Sequence, residues 1–362
     1  MLTSPVQFLR TPEAIRERAE NIFRAERAHF DVRLEALPAV VEKVREVTRA
    51  AYPDGNIPIH GRFRHFGEAR LAFLDETLSG IDAGAGARWR YLEPGTGEEP
   101  SRSEGLAVAS FHMFMAGAFS DEGGAQANAA GLQSIDETAL ANGFQVETDN
   151  PLVGLEGRAE LLRALGRALE AKPELFGEAG RPHLFDSVEA DARALLDAVL
   201  SGLGSIWPSR LSLDGENLGD VWRHPLAGGD GPSAGLVPFH KLSQWLTYSL
   251  VEPFERGGRK VANVDSLTGL AEYRNGGLFV DLGVVVPKHD AVTREPHTPD
   301  SEIVVEWRAL TISLLDRVAK ALKMPIARLL EGGTWQAGRI AARERRDDGS
   351  PPIRIESDGT VF

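Results

Sequence analysis

Polar side chains interrupt the otherwise apolar stretch from Leu236 to Gly283. A base, two carboxylates and an arginine stand close together there, and the interrupting residues are His240, Lys241, Gln244, Glu272, Tyr273, Arg274 and Asp281. Buried charge is costly unless it is paired or used in chemistry, so a plain core segment would avoid such a group. The stretch therefore predicts a ligand-binding or catalytic centre. The alternative is a helical hairpin whose polar residues lie on the solvent side.

The carboxylates of Glu272 and Asp281 indicate one possible chemistry, the cleavage of a glycosyl bond. In such reactions one carboxylate activates water or stabilises an oxocarbenium-like centre, and another group assists the leaving group. We expect Gly276-Gly277 to break the intervening helix, which leaves the separation of the two carboxylates open. Structural ion pairing is the alternative for such residues. For Glu306 and Arg308, later in the chain, it is at least as good an interpretation as catalysis.

The segment from Ile206 to Pro225 contains further side chains of the kind that recognise ligands. They are Trp207, Arg210, Asp220, Trp222, Arg223 and His224. Loops held by a rigid scaffold often carry binding residues, so we expect this segment to contribute to the site. Cations of this loop and of the central stretch could neutralise a phosphate group. The candidates are Lys241, Arg274, Arg223 and His224.

A second segment, residues 57–66, interleaves aromatic residues with basic ones. The basic residues are His60, Arg62, Arg64 and His65. The segment could form a wall of an anion-binding site, or it could be an extended connector whose arginines pair with carboxylates. His60 and His65 have no third ligand at a recognisable spacing, so a metal site is not expected there. Nothing in the sequence demands a metal or a cofactor, and we expect neither.

Helical periodicity dominates the elements that must position these residues. The main segments with this pattern follow Thr11-Pro-Glu13 and cover residues 37–51, 187–203 and 302–322. A short helix is expected after Pro325, then a turn from Glu331 to Gly338, and a short strand in the tail 351–362. No repeat and no long linker divides the chain. We predict one mainly α-helical domain over 1–362, with an N-terminal helical part (1–150) and a part (151–362) that carries most of the site.

Composition limits the classes of function. The formal net charge of −13 argues against broad nucleic-acid binding, although it leaves room for a local basic pocket. The chain has no cysteine, which removes thiolate chemistry and disulfides and fits a cytoplasmic protein. The N-terminus lacks the apolar core of a signal peptide, and the most apolar run, Phe111 to Phe119, is too short to span a bilayer. We expect a cytoplasmic protein that binds no membrane.

The order of several motifs resembles the uracil-catabolism Urc/Urg family of fungi and bacteria. The likeness covers essentially the whole chain, and its main segments are Leu218-Gly-Asp-Val-Trp-Arg-His-Pro225, Val237-Pro-Phe-His-Lys-Leu-Ser-Gln-Trp245, Leu267-Thr-Gly-Leu-Ala-Glu-Tyr-Arg-Asn-Gly-Gly277, Val305-Glu-Trp-Arg308 and Leu330-Glu-Gly-Gly-Thr-Trp335. The resemblance implies a role in a pathway that degrades uracil through ribosylated intermediates towards urea.

A more distant likeness bears on mechanism. The segment Phe239-His-Lys-Leu-Ser-Gln244 is similar to the Phe-Tyr-Lys-x-x-Gln motif of queuosine-salvage N-glycosidases, whose helical fold resembles that of DNA glycosylases. Ala271-Glu-Tyr-Arg274 and Glu306-Trp-Arg308 match two later motifs, and Asp220 falls where that family has an active-site Asp. Glu272 stands in place of the family's catalytic Asp. The following Asn-Gly-Gly replaces its Pro-Gln, which implies a different leaving group.

These likenesses imply an N-ribosyl hydrolase that acts on ribosylurea, its 5-phosphate or a related ring-opened uridine derivative. Glu272 would stabilise the oxocarbenium-like centre and activate water, and Asp220 would bind ribose hydroxyls or assist the water. Urea is a poor leaving group, so a proton donor is expected, and His240 and His224 are candidates. The remaining expected roles are a sugar wall (Tyr273, Trp222), a phosphate clamp (Lys241, Arg274) and further substrate contacts (Gln244, Arg223, Phe239, Asp281, Glu306, Arg308).

Two other functions stay open from the sequence. Phosphoribosyl transfer to uracil usually needs two acids before a Gly/Thr-rich turn that follows a buried strand. Asp265-Ser-Leu-Thr-Gly269 has only one acid and follows no clear strand. The chain could instead be a non-catalytic partner of other uracil-pathway enzymes. Turnover of a ribosylated ureide separates both from the hydrolase.

Overall fold

The computed structural model describes residues 4–61, 89–100, 102–152, 154–206 and 210–356. Several residues named above lie outside this part of the chain: Trp207, Arg62, Arg64, His65 and those after 356. Within it the chain is mainly α-helical with only short strands, which confirms the predicted fold class.

The helices follow one another with short connections. They are α1 (Pro5–Leu9), α2 (Pro12–Arg24), α3 (Leu37–Ala51), α4 (Arg102–Met115), α5 (Ala129–Gln133), α6 (Glu137–Gly143), α7 (Leu155–Glu170), α8 (Pro173–Phe176), α9 (Ala192–Leu203), α10 (Lys241–Arg256), α11 (Tyr273–Asp281), α12 (Ala291–Arg294), α13 (Glu302–Leu322), α14 (Ile326–Leu329) and α15 (Trp335–Arg345). None of these helices combines the length and the apolar composition needed to cross a membrane.

The strands form four two-stranded pairs. The strands are β1 (Phe30–Val32), β2 (Ser212–Leu213), β3 (Glu216–Asn217), β4 (Val221–Arg223), β5 (Leu236–Pro238), β6 (Val285–Pro287), β7 (Pro296–His297) and β8 (Arg354–Ile355). Pairs β1–β6, β2–β3 and β4–β5 are antiparallel, and β7–β8 is parallel. The β4–β5 pair matters most for the site, because it sets Trp222 opposite Val237 immediately before α10 begins.

Capping residues fix most of the helix ends. The Thr11 hydroxyl accepts the N–H of Ala14 (3.1 Å) and Pro12 occupies the first turn, so α2 begins as predicted. The predicted start of the third helix at Ser187 was wrong, because α9 begins at Ala192. There the Asp191 side chain accepts the N–H of Arg193 and Ala194, and Asp191 also bridges to the extended chain at Ala262.

Helix α13 runs through the core and carries two of the candidate charges. Its residues from Val304 to Leu315 are buried, and it packs against α2, α3 and α11. The main apolar cluster extends along the sequence from Phe30 to Ile353, so elements from both ends of the chain share one core. Glu306 and Arg308 are therefore held within packed structure rather than on a surface.

The expected helix break at Gly276-Gly277 was wrong. Helix α11 is continuous across both glycines. A Cβ at Gly276 would lie 2.8 Å from both Thr311 Oγ1 and Trp307 Nε1, and one at Gly277 would lie 3.0 Å from Pro352 Cδ. These glycines let neighbouring chain segments approach the helix closely, and that packing outweighs their low helix propensity.

The expected turn from Glu331 to Gly338 was also wrong. The chain continues from α14 through a π-helical turn, Leu330–Thr334, directly into α15. A Cβ at Gly333 would meet Thr48 Oγ1 at 2.6 Å, so the glycines again allow α3 to pack closely rather than ending the helix.

Candidate functional site

Asp220 stands immediately before β4 and is fixed by the start of α10. Its backbone carbonyl accepts the N–H of Phe239 (3.0 Å), and one carboxylate oxygen, Oδ2, accepts the N–H of Lys241 (2.9 Å). The turn that precedes it requires Gly219, whose φ is +65°. Local chain geometry thus places the Asp220 carboxylate at the N-terminus of α10, where the helix dipole favours a negative charge.

Arg308 forms a two-pronged ion pair with Asp220. Nη1 donates to Oδ1 (2.7 Å) and Nη2 donates to Oδ2 (2.8 Å), while the Trp222 Nε1–H donates to Oδ1 (2.6 Å). Burial by itself would raise the pKa of Asp220. The charge and hydrogen bonds of Arg308, with those of Lys241 and Trp222, outweigh it and lower the pKa. Asp220 is therefore ionised at neutral pH.

The same four hydrogen bonds determine what Asp220 can contact. A carboxylate offers about four lone-pair positions, and here each oxygen already accepts two donors. A ribose hydroxyl could bind to Asp220 only by displacing one of them. The geometry favours Asp220 as an anion that positions Arg308 and the first turn of α10.

Arg308 connects this pair to Glu272. Its Nε donates to the carbonyl of Ala271 (3.1 Å), the residue before Glu272, and its guanidinium lies 4.1 Å from the centroid of the Phe239 ring. The predicted Asp220, Phe239, Ala271 and Arg308 positions, separate in sequence, thus meet around one guanidinium. The structure brings this part of the predicted site together.

Glu272 is the N-cap of α11. Its Oε2 accepts the N–H of Arg274 (2.8 Å) and its Oε1 accepts that of Asn275. Burial raises the pKa of Glu272, although these hydrogen bonds and the charges of Lys241 and Arg274 oppose the shift. With one described donor on each oxygen, the carboxylate keeps lone pairs that could accept from water. Of the two carboxylates, Glu272 is the one available for proton transfer.

Lys241 lies between the two carboxylates in electrostatic terms. Its backbone N–H binds Asp220, and its ammonium charge lowers the pKa of Glu272. The ammonium nitrogen is 5.4 Å from the Trp245 ring centroid, and Trp245 stacks on His60 with the centroids 6.0 Å apart. His60 is in turn paired with Glu331 at 2.8 Å. Its described partners are a ring and a carboxylate.

The two histidines predicted as proton donors are both buried. His240 Nε2 donates to the carbonyl of Leu9 (2.9 Å), and burial lowers the pKa of His240, so the ring is neutral at neutral pH. A neutral imidazole with Nδ1 unprotonated suits a base better than an acid. His224 faces Glu306 instead, with Nε2 3.7 Å from Oε2, and both side chains are fully buried.

The other predicted residues divide between support and periphery. Gln244 is fully buried, and its amide bonds Thr268 and the Phe239 carbonyl, which holds α10 against the segment that leads to Glu272. Arg223 alternates with Trp222 along β4 and is exposed. Tyr273 is partly buried, and the Arg274 guanidinium lies 5.0 Å from its ring centroid while Nη1 donates to the Gly349 carbonyl (2.7 Å).

Asp281 lies away from Glu272. It is at the other end of α11, about 13 Å along the axis by the rise of a helix, and forms a two-pronged ion pair with Arg346 at 2.8 and 2.6 Å. The two carboxylates suggested by the sequence therefore do not face one sugar. The geometry places Asp220, not Asp281, near the chain around Glu272.

A cleft beside Asp220 adds residues that sequence reasoning missed. Its lining includes Arg10, Asn217 and Ser243 together with Arg210, Asp220 and His240. Arg10 pairs with Glu216 (2.9 Å), and the Arg210 guanidinium lies 5.3 Å from the Trp222 ring centroid. Arg10 follows the short helix α1, far in sequence from the motifs. No local signal marked it.

Fold and site together define a mainly helical protein with a buried carboxylate–guanidinium centre at the meeting point of α10, α11 and α13. The family model "Protein of unknown function (DUF1688)" matches residues 8–362, and the chain belongs to that family. It is 35% identical to "Uracil catabolism protein 4" of Lachancea kluyveri, with 99% of each chain covered. It is 39% identical to "Protein urg3" of Schizosaccharomyces pombe, with 90% of each covered. The Urc/Urg resemblance read from the motifs is confirmed.

Proposed function

We propose that this chain acts in uracil catabolism as an N-ribosyl hydrolase, which cleaves ribosylurea, its 5-phosphate or a related ring-opened uridine derivative. The printed name of the Lachancea relative supports the pathway, since the likeness covers nearly all of both chains. The observation that carries the chemistry is Glu272, a buried carboxylate with a raised pKa, spare lone pairs and the cation Lys241 beside it.

In the proposed reaction Glu272 takes a proton from the attacking water. The water oxygen forms a bond to the anomeric carbon as the bond from that carbon to the urea nitrogen breaks, and the nitrogen is protonated as it leaves. The negative charge of Glu272 also stabilises the oxocarbenium-like centre. Lys241 supplies the positive charge beside Glu272 for the departing ureide or for a phosphate.

Support around Glu272 follows from the ion pair. Asp220 holds Arg308 at both of its terminal nitrogens, and Arg308 holds the carbonyl of Ala271. Asp220 also binds the first N–H of α10 and so orients the chain at Lys241. In this assignment Asp220 and Arg308 are positioning residues, and Glu272 touches the reacting water.

The test is a direct assay of products. The purified protein is incubated with ribosylurea, with and without a 5-phosphate, and urea and free sugar are measured. Release of both supports the hydrolase and shows whether the phosphate is needed. Binding without release would instead favour another step of the pathway, and absence of both would favour the non-catalytic partner.

The matched variants are Glu272→Gln and Glu252→Gln. Glu272→Gln is expected to reduce activity by about a hundredfold or more, since it removes the group that accepts the proton. Glu252 is on α10 and pairs with Arg256 near the surface (2.8 Å), so its variant should keep near-normal activity. If Glu272→Gln retained more than about a tenth of the activity, the assignment of the base would be wrong.

A further inference from the structure

A cluster of metal-ligating side chains lies on a different face of α13 from Arg308. It joins His29, just before β1, to Glu302 and Glu306 in the first turns of α13. One ligand atom from each of the three lies within 4.8 Å of the others. Glu302 and Glu306 are four residues apart, so they share one helix face, whereas Arg308 is two residues further and points elsewhere.

The Glu306 carboxylate is fixed at one oxygen and unpartnered at the other. Its Oε1 accepts the N–H of Phe30 (3.0 Å) and of His29 (3.3 Å). Its Oε2 is inaccessible to solvent and has no hydrogen-bond partner among the described residues. Buried polar atoms are rarely left without a partner, so an unmodified carboxylate oxygen in this position indicates an absent ligand.

The His29 ring has the orientation of a metal ligand. Its Nδ1 is 2.9 Å from His289 Nε2, and its Nε2 is 3.7 Å from Glu302 Oε1. With the proton on Nδ1 donated to His289, the Nε2 lone pair faces the carboxylates. Metal-binding histidines commonly donate their other N–H in this way.

His224 supplies a second unpartnered atom on the same carboxylate. Its Nε2 is fully buried, lacks a hydrogen-bond partner among the described residues and lies 3.7 Å from Glu306 Oε2. A separation of 3.7 Å is too long for a hydrogen bond. It is close to the roughly 3.5 Å between two ligands of one ion whose bonds are about 2.1 Å long.

We propose that His29, Glu302 and Glu306 bind one divalent transition-metal ion, with His224 as the nearest further ligand. Imidazole and carboxylate donors without sulfur suit Zn²⁺, Mn²⁺ or Fe²⁺. The Glu302 side chain is 43% exposed, which gives an ion a route from solvent. The bound ion would tie β1 and the chain after β4 to α13, and thereby support the helix that carries Arg308.

The test uses the full chain and Zn²⁺ itself. The protein is stripped with a chelator, dialysed and titrated with Zn²⁺ by calorimetry, and Co²⁺ binding is followed by its visible absorption. One equivalent should bind, and the melting temperature should rise with metal concentration. Failure to bind either ion would overturn the proposal, whatever the outcome of the ribosylurea assay.

Variants separate this site from casual surface binding. Glu306→Gln would disturb the backbone contacts of β1, so the main variant is the exposed Glu302→Gln, with His29→Gln beside it. Each should weaken Zn²⁺ binding at least tenfold. The control is His112→Gln, because His112 faces the single carboxylate of Glu93 (3.0 Å). Unchanged affinity in both main variants would rule the site out.

Discussion

At the residue scale, the two central carboxylates differ in what still reaches them. Asp220 has its four acceptor positions filled by protein donors, whereas Glu272 has one described donor on each oxygen. Neighbouring charges lower the pKa of Asp220, and burial raises that of Glu272. Environment rather than residue type therefore separates a positioning anion from a proton acceptor.

Removal of the Asp220 charge should destabilise the fold. Asp220→Asn leaves Arg308, 2% exposed, as a buried cation without its carboxylate, and the free energy of unfolding should fall by about 3 kcal/mol. Urea denaturation measures this. Asp316→Asn is the control, because the Arg16–Asp316 pair is about one-third exposed and should contribute less than about 1 kcal/mol. Equal small losses in both variants would contradict the buried-pair interpretation.

The pH profile of hydrolysis should report on Glu272. Burial raises its pKa above the ordinary 4.5, and the base form is lost as pH falls through that raised value. The acidic limb of kcat/KM should therefore lie above pH 4.5. Lys241→Met removes a charge that lowers this pKa, so the midpoint of the limb should move to higher pH.

The control for this shift is Lys260→Met, which removes an exposed lysine beyond the end of α10. Its profile should match that of the unaltered protein. A Lys241→Met profile with the same midpoint, merely scaled in height, would mean that the limb belongs to another group.

At the element scale, close helix packing positions the N-terminus of α11. A Cβ at Gly338 of α15 would lie 2.1 Å from the carbonyl oxygen of Arg274, which is backbone and cannot turn aside. Gly338→Ala should therefore lower the free energy of unfolding by about 1–3 kcal/mol and reduce hydrolysis by displacing the start of α11. Chemical denaturation and the product assay measure the two effects.

Gly157→Ala on α7 is the matched substitution. A Cβ there meets nothing within 4 Å, so the change should be neutral or stabilise the helix by up to about 1 kcal/mol. If Gly338→Ala behaved like Gly157→Ala, the contact between α15 and α11 would not be as close as the structure shows.

At the scale of the whole molecule, charge separates this chain from helical proteins that act on DNA. A formal net charge of −13 opposes the phosphate contacts that dominate nucleic-acid affinity. We expect no binding of a fluorescently labelled DNA duplex at physiological salt, measured by anisotropy with a basic DNA-binding protein as the positive control. Saturable binding that weakened with salt would contradict this expectation.

The sequence by itself determined the mainly helical fold and the motifs that identify the family. Both depend on local information: apolar periodicity, caps such as Thr11, and short runs such as Ala271-Glu-Tyr-Arg274. Helix α13 was predicted with its full extent because its apolar face and its ends are encoded within it.

Only the tertiary structure decided which charges meet. It paired Asp220 with Arg308 and Asp281 with Arg346, kept α11 helical through Gly276 and Gly277, and brought His29 to Glu306. Each of these outcomes depends on contacts between residues distant in the chain. Sequence spacing carries no record of such contacts, because burial and neighbouring charge arise only when the elements pack.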